Sequence, residues 1–398
     1  MLIRISDIKY FTRLIFYDIV SHKIMVKQPI IHIFHISNFG GHSQAALNIK
    51  EAILAENNNA EVVNLNSFQY FYPRTEKVID TIYKLVIKRI PSLWGKAYDH
   101  KTVAKHLRPW HTVVNYICFP KLRKYIKTKK PDCFITTQAF PCGIIADYKK
   151  KYKAKVPLIA VVTDFHPHRF WMHSYVDQYI VASDEAKTTL IKEGVAEGKI
   201  AVFGIPISIK FMNNSLDKEV VQKLGFSFQL KSILVMGGGL GIGPIEKIVT
   251  NLDCLRHNFQ VIVVCGKNKS LYHKLKKIKN KIKKPLFVFS YIEYIDKIMD
   301  FSDIIITKAG GITVSEALAK KMAIIITNPI PGQEELNVDF LIRRNAIIKA
   351  DTLKQINESI ANLIDNPDKL KFFKENAGKN SSGDSSVKIA NLIFKLIN

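Results

Sequence analysis

The stretch HISNFGGHSQAALNIKEAI (residues 35–53) sets one histidine, His42, directly after a glycine pair, where an apolar run gives way to helical spacing. Imidazole titrates near neutrality, so a histidine in such a turn is suited to take a proton from a hydroxyl. The positive end of the helix that starts there disfavours imidazolium and keeps the ring neutral. The competing reading is a turn residue bonded to backbone. Asp164 ends the apolar run PLIAVVTD (157–164) and is either a rival base or a group that orients a neighbour.

A second set of residues suits phosphate and sugar hydroxyls. In TKAGGITVSEALAKK (307–321), Gly310 and Gly311 form a turn, and N–H groups from Gly311 through Ile312 to Thr313 can hold a pyrophosphate. Glu316 lies three residues beyond Thr313, which is capping-box spacing. It is therefore read either as a helix cap or as a carboxylate that accepts both hydroxyls of a ribose. The loop NPIPGQEELN (328–337) brings Gln333, Glu334 and Asn337, short polar groups that fit sugar hydroxyls or an ordinary surface loop. It follows a strand, at the end where open α/β sheets bind ligands. In VMGGGLGIGPIEKIV (235–249), no register of the glycines gives Gly-x-Gly-x-x-Gly, and Gly266-Lys267-Asn268 lacks the rest of a Walker loop. Classical dehydrogenases and P-loop kinases are disfavoured. That turn is either a phosphate approach or tight packing of helix on strand.

Repeated strand and helix signals must position these groups. PIIHIFHIS (29–37), PDCFITT (131–137), PLIAVVTD and QYIVAS (178–183) are apolar runs of buried-strand type. After a break at VFGIPISIKFMNN (202–214), the pattern restarts with KSILVMGGG (231–239), FQVIVVCG (259–266), PLFVFSY (285–291), DIIITKAGG (303–311) and AIIITNP (323–329). Uniformly apolar strands alternating with helices imply parallel sheets covered on both faces. The expected organisation is a basic extension (1–28), an N-terminal Rossmann-like domain (29–207), a C-terminal one (208–380) and a closing amphipathic helix (381–398), with a cleft between the domains. The length of 398 residues and 47% hydrophobic content agree with two cores.

Five scattered cysteines, none in Cys-x-x-Cys, argue against a disulfide framework or thiolate zinc site. No Asp-x-Asp cluster is present. The formal charge of +25 points to an anionic partner, though a Lys-rich composition accounts for part of it. No run approaches the roughly 20 apolar residues of a membrane span. Residues 1–28 read as a basic interfacial helix or as an extension ahead of a start at Met25. Between 84 and 130, basic residues including Lys88 and Arg89 interleave with Trp94, Tyr98 and Trp110, and Asp99 is the one acid. This pattern suits an anionic leaflet. Nucleic acid is not expected, because the phosphate and sugar motifs call for a small-molecule enzyme. The lysine run 274–284 reads as a solvated helix face.

Taken together, TKAGGITVSEA, PIPGQEELN, SYIEYI (290–295), TDFHPHRFW followed by VDQYIVAS (163–183), and GIPI (204–207) resemble the processive diacylglycerol glucosyltransferases. The plant-type monogalactosyldiacylglycerol synthases stand beside them, and the N-acetylglucosaminyltransferase that makes lipid II is more distant. The resemblance runs from about residue 31 to at least 375. It implies a GT-B fold and inverting, metal-independent transfer of a hexose, with glucose favoured, from a UDP-sugar to diacylglycerol or glycosyl-diacylglycerol. No cofactor is implied, and the place is the cytoplasmic face of the cell membrane, peripherally bound. By the same resemblance, Gly310, Gly311, Ile312 and Thr313 line the donor pyrophosphate and Glu316 binds the ribose. Gln333, Glu334 and Asn337 contact the sugar or phosphates, and Met236, Gly237, Gly238 and Gly239 form an interdomain phosphate turn. His42 is the base, while Asp164, His168 and Trp171 belong to the acceptor-side motif. Two positions depart from the pattern: Phe39 stands where the family often has glycine, and Ser208-Ile209 follow GIPI where it has Arg-Pro. The alternatives are a membrane-binding or regulatory homologue without activity, and a transferase using another UDP-sugar or lipid acceptor.

Overall fold

The computed structural model describes residues 28–36, 40–71, 108–329 and 332–397, with backbone alone for 108–115, 117 and 333. The first sheet is built from β1 (Ile30–His35), α1 (Gly41–Glu56), β2 (Glu61–Asn66), α2 (Ser67–Phe71), α3 (Arg108–Lys129), β3 (Cys133–Thr136), α4 (Ala139–Tyr152), β4 (Leu158–Val161), β5 (Gln178–Val181), α5 (Asp184–Lys192) and β6 (Ile200–Val202). The second uses α6 (Lys218–Leu224), β7 (Lys231–Met236), α7 (Ile245–Leu252), β8 (Phe259–Val264), α8 (Lys269–Ile278), β9 (Leu286–Phe289), α9 (Ile295–Phe301), β10 (Ile304–Thr307), α10 (Gly311–Ala319), β11 (Ala323–Ile326), α11 (Gln333–Ile342) and β12 (Ile347–Lys349). Then come α12 (Leu353–Asp365), α13 (Pro367–Lys379) and α14 (Ser385–Ile397).

Among the described residues both sheets have six strands, in the orders β2-β1-β3-β4-β5-β6 and β12-β11-β10-β7-β8-β9. Every strand pair is parallel. Central strands such as Ile304–Thr307 and Ala323–Ile326 are buried at every residue, because helices cover both faces. Strand order reverses between β1 and β3 in the first sheet and between β7 and β10 in the second. Ligands of open α/β sheets bind at such switch points, beyond the carboxyl ends of the strands.

The C-terminal helix crosses back to the first domain. Ile389, Ala390 and Ile393 of α14 enter the cluster formed by Ile31, Ile49 and Ile53 of β1 and α1. Each isoleucine buried this way contributes about 2 kcal/mol. At the start of α14, Ser385 Oγ donates to Ile205 O (2.8 Å) and Ser386 Oγ to Ile207 O (2.6 Å). The two strands of chain that join the domains are therefore tied to each other.

Candidate active site

His42 lies in the first turn of α1, beyond the carboxyl end of β1. Its Nδ1 donates to Thr137 O, which follows β3, at 2.8 Å, so the contact bridges the switch point of the first sheet. Thr163 Oγ1, just after β4, sits 2.8 Å from the same nitrogen. A carbonyl can only accept, so Nδ1 carries the proton and Nε2 keeps a lone pair. The backbone-bonded reading is thus realised, and that bond fixes the tautomer a base requires. Burial holds the ring's pKa down to about 4 against the opposing pull of the Thr137 carbonyl. The imidazole is neutral at pH 7. His168 is held down to about 3, first by burial and then by the proximity of His42 and His166. Trp171, assigned to the acceptor side, has no exposed surface. Its ring packs among β4, β5 and α4 residues and lies 6.0 Å from that of His168, and its indole N–H is buried without a hydrogen-bond partner among the described residues.

In the second domain, α10 starts at Gly311, with Gly310 at its cap and no side-chain cap bond. Thr313 is therefore the third helical residue, and Glu316 lies well inside the helix. The Thr313–Glu316 capping box does not form. Gly311 meets the other domain so closely that a Cβ there would sit 2.3 Å from Thr163 O, which leaves room for no other residue. Glu316 is buried, with no side-chain hydrogen-bond partner among the described residues. Burial, and secondarily Asp296, raises its pKa to about 8. The Glu316 oxygens are not among the fully enclosed polar atoms that lack a partner, so the carboxyl keeps access to a partner from outside the chain.

The turn after β7 closes on itself through Gly241 N to Gly238 O (3.0 Å) and Ile242 N to Gly237 O (3.1 Å). Met236 ends β7 in the core, and Gly239 O takes the N–H of Lys267 at 3.0 Å. Gly238 adopts φ 66°, and a Cβ there would lie 3.7 Å from Thr313 Oγ1. The turn and the α10 start thus face each other across the switch point of the second sheet. Gly41 approaches Ile312 Cγ1 (3.6 Å from an added Cβ), which brings the first turns of α1 and α10 together.

The sequence motifs leave Lys308 without a role, though it is a cation between a strand end and a glycine pair. Its Nζ is paired with Glu334 and would lie 3.2 Å from a Cβ on Gly310; its Cε would lie 3.8 Å from one on Gly238. The ammonium therefore stands between the two glycine turns. Lys308→Met is expected to weaken a nucleoside diphosphate roughly tenfold, the scale of one charged hydrogen bond. Calorimetric titration with UDP checks this, and an unchanged affinity would mean that the ammonium serves Glu334 alone. Asn337 uses both amide hydrogens within the protein, on Asp164 Oδ1 (3.4 Å) and Ala309 O (3.3 Å), and its Oδ1 takes Phe165 N–H (2.9 Å). In this arrangement it fastens one domain to the other. Gln333 heads α11, with its backbone alone described.

Phe39, Lys88, Arg89 and Trp94 lie outside the described residues, and Trp110 is described in backbone alone. Nearby, α3 and α4 carry a basic and aromatic surface. Tyr116 is 82% exposed, Arg123 lies 5.7 Å from the Tyr152 ring and Lys151 5.5 Å from the Phe119 ring. Among the described residues, no helix is long and apolar enough to cross a membrane, and no three His, Cys, Asp or Glu gather as a metal site.

Residues 42–207 match the family described as monogalactosyldiacylglycerol (MGDG) synthase, and residues 232–393 match the glycosyltransferase family 28 C-terminal domain. The chain is 33% identical over 276 residues to the processive diacylglycerol beta-glucosyltransferase of Bacillus subtilis, covering 69% of this chain and 72% of that one. Identity of 29% extends over 383 residues, 93% of this chain and 95% of the other, for the protein of that name from Bacillus cytotoxicus. Acinetobacter baumannii MurG shares the fold at 15% identity, with a TM-score of 0.61 over 92% of this chain and 99% of that one. The facing sheets form a GT-B fold, and the chain belongs to the family of the processive diacylglycerol β-glucosyltransferases.

Proposed function

We propose that this protein transfers glucose from UDP-glucose to diacylglycerol or a glycosyl-diacylglycerol at an anionic membrane surface, with inversion and without a metal. The observation that carries the reading is the meeting of two helix starts: α1 with a neutral, tautomer-fixed His42, and α10 with Gly311–Thr313. The names of the relatives support the acceptor. His42 Nε2 takes the proton of the acceptor hydroxyl as its oxygen attacks the anomeric carbon from the face opposite the diphosphate. The bond from that carbon to the diphosphate oxygen breaks, and UDP leaves with the electron pair. N–H groups of α10 and the Lys308 ammonium neutralise the charge that develops there. Glu316 holds the ribose, while Gln333 and Glu334 contact the sugar. Asp164 lies at the domain seam beside the acceptor.

The test is diacylglycerol vesicles with a panel of UDP-sugars, chelator present, read as glycolipid formed and anomeric configuration. β-Glucosyl-diacylglycerol with diacylglycerol-dependent UDP release is expected. No acceptor-dependent release with any donor would overturn transfer in favour of a lapsed homologue. One contact favours that second reading: Ser208, at the family's arginine position, donates to Glu51 (2.6 Å) and supplies no cation.

Peripheral attachment on the cytoplasmic face is part of the same proposal, at about 1 kcal/mol per surface Lys or Arg. The protein is expected to float with anionic liposomes at low salt and to be released at high salt. Salt-insensitive flotation, or none, would count against an electrostatic attachment.

A further inference from the structure

Three consecutive residues after β4 each touch the donor domain. Thr163 O abuts Gly311, Asp164 accepts from Asn337, and Phe165 gives its N–H to Asn337 Oδ1. The Phe165 ring stacks on Phe340 of α11, with centroids 5.2 Å apart and planes 19° from parallel. Both rings are 5% exposed. The Arg344 guanidinium lies 3.8 Å from the Phe340 centroid, and it reaches Glu185 at the start of α5 (3.2 Å) beside Arg343 (2.5 Å). Helix α11 thus carries Glu334 at its donor end and a grip on the acceptor domain at the other. The gripped loop is also the one whose Thr163 hydroxyl holds His42.

We propose that Phe340 and Arg344 are positioning residues that fasten loop 163–165 to the donor domain, keep Thr163 against His42, and so set the rate of transfer without contributing to donor binding. The inference rests on the transferase reading above. The exposed Glu185 pairs alone count for little in water. The buried stack carries the grip together with the Asn337 hydrogen bonds, and the arginine lies against it. Misplacing a catalytic group by about 1 Å costs up to about a hundredfold, so a loosened loop acts on kcat.

The experiment compares Phe340→Leu, Phe165→Leu, the double variant and Glu185→Gln in the full chain, measuring kcat, KM for UDP-glucose and calorimetric Kd for UDP. Each phenylalanine variant is expected to lose about tenfold in kcat, with KM and Kd within about twofold. The double variant should lose little more than either single, because both remove one contact. Glu185→Gln, which leaves the core intact, should lose about two- to threefold in kcat. Unchanged kcat in the phenylalanine variants, or UDP affinity lost in parallel with kcat, would overturn the proposal. Small-angle scattering with saturating UDP reads the grip apart from chemistry: the double variant should be more extended than the wild type, and equal dimensions would also overturn it. A wild type without turnover would sink the transfer reading, while the scattering comparison would still decide the grip.

Discussion

His42→Ala is expected to lower transfer at least about a hundredfold, the usual scale for removing a general base. The fold should survive, because Thr137 Oγ1 donates to the main-chain oxygen of His42 (2.8 Å), a bond that alanine keeps. UDP affinity should also survive, since the donor contacts lie on the other domain. What disappears is Nε2, the atom whose lone pair the Nδ1–H to Thr137 bond guarantees. Asp164 is the rival, and its carboxyl faces Asn337 across the seam, a position suited to orienting the loop. Asp164→Asn is accordingly expected to cost less than His42→Ala. Turnover by His42→Ala within about tenfold of wild type, with UDP affinity intact, would remove the histidine from the chemistry.

The strands at the centres of both sheets were legible because helices on both faces demand unbroken apolar runs. Three strands escaped: Glu61–Asn66, Ile200–Val202 and Ile347–Lys349. Each lies at a sheet edge, where burial is partial and the run is short or mixed with polar residues. Local spacing points to a capping box at Thr313 and Glu316, but the helix begins two residues earlier, at Gly311, with no side-chain cap. The full burial of Trp171 depends on packing that its motif does not encode. Thr137 ends one strand-type run, and Thr163 is next to last in another. Their bond to His42 spans 95 and 121 residues and follows from strand order alone. Lys308 stood in plain view, but its partner Glu334 is 26 residues on.

Between pH 5 and 9, kcat/KM for the donor is expected to rise with pH, pass half its plateau near pH 8 and level off above it, and Glu316→Gln should abolish that rise. The free enzyme's ionisations govern kcat/KM. His42 titrates at about 4, so it is already neutral throughout this window and adds no slope. Glu316 titrates at about 8, so below that pH its buried carboxyl carries a proton. Two ribose hydroxyls need two acceptor oxygens, so the donor prefers the carboxylate, and its apparent affinity falls as the pH drops. The rise should persist in His42→Ala at a much lower level, which separates the two residues. Glu316→Gln should be flat and about tenfold or more below wild type at pH 8, because an amide offers one acceptor where a carboxylate offers two. The neighbouring Asp296 helps hold the proton on Glu316, so Asp296→Asn should move the rise to lower pH. A Glu316→Gln profile that still climbs toward pH 8 would place the titrating group elsewhere and leave the ribose contact without its carboxylate.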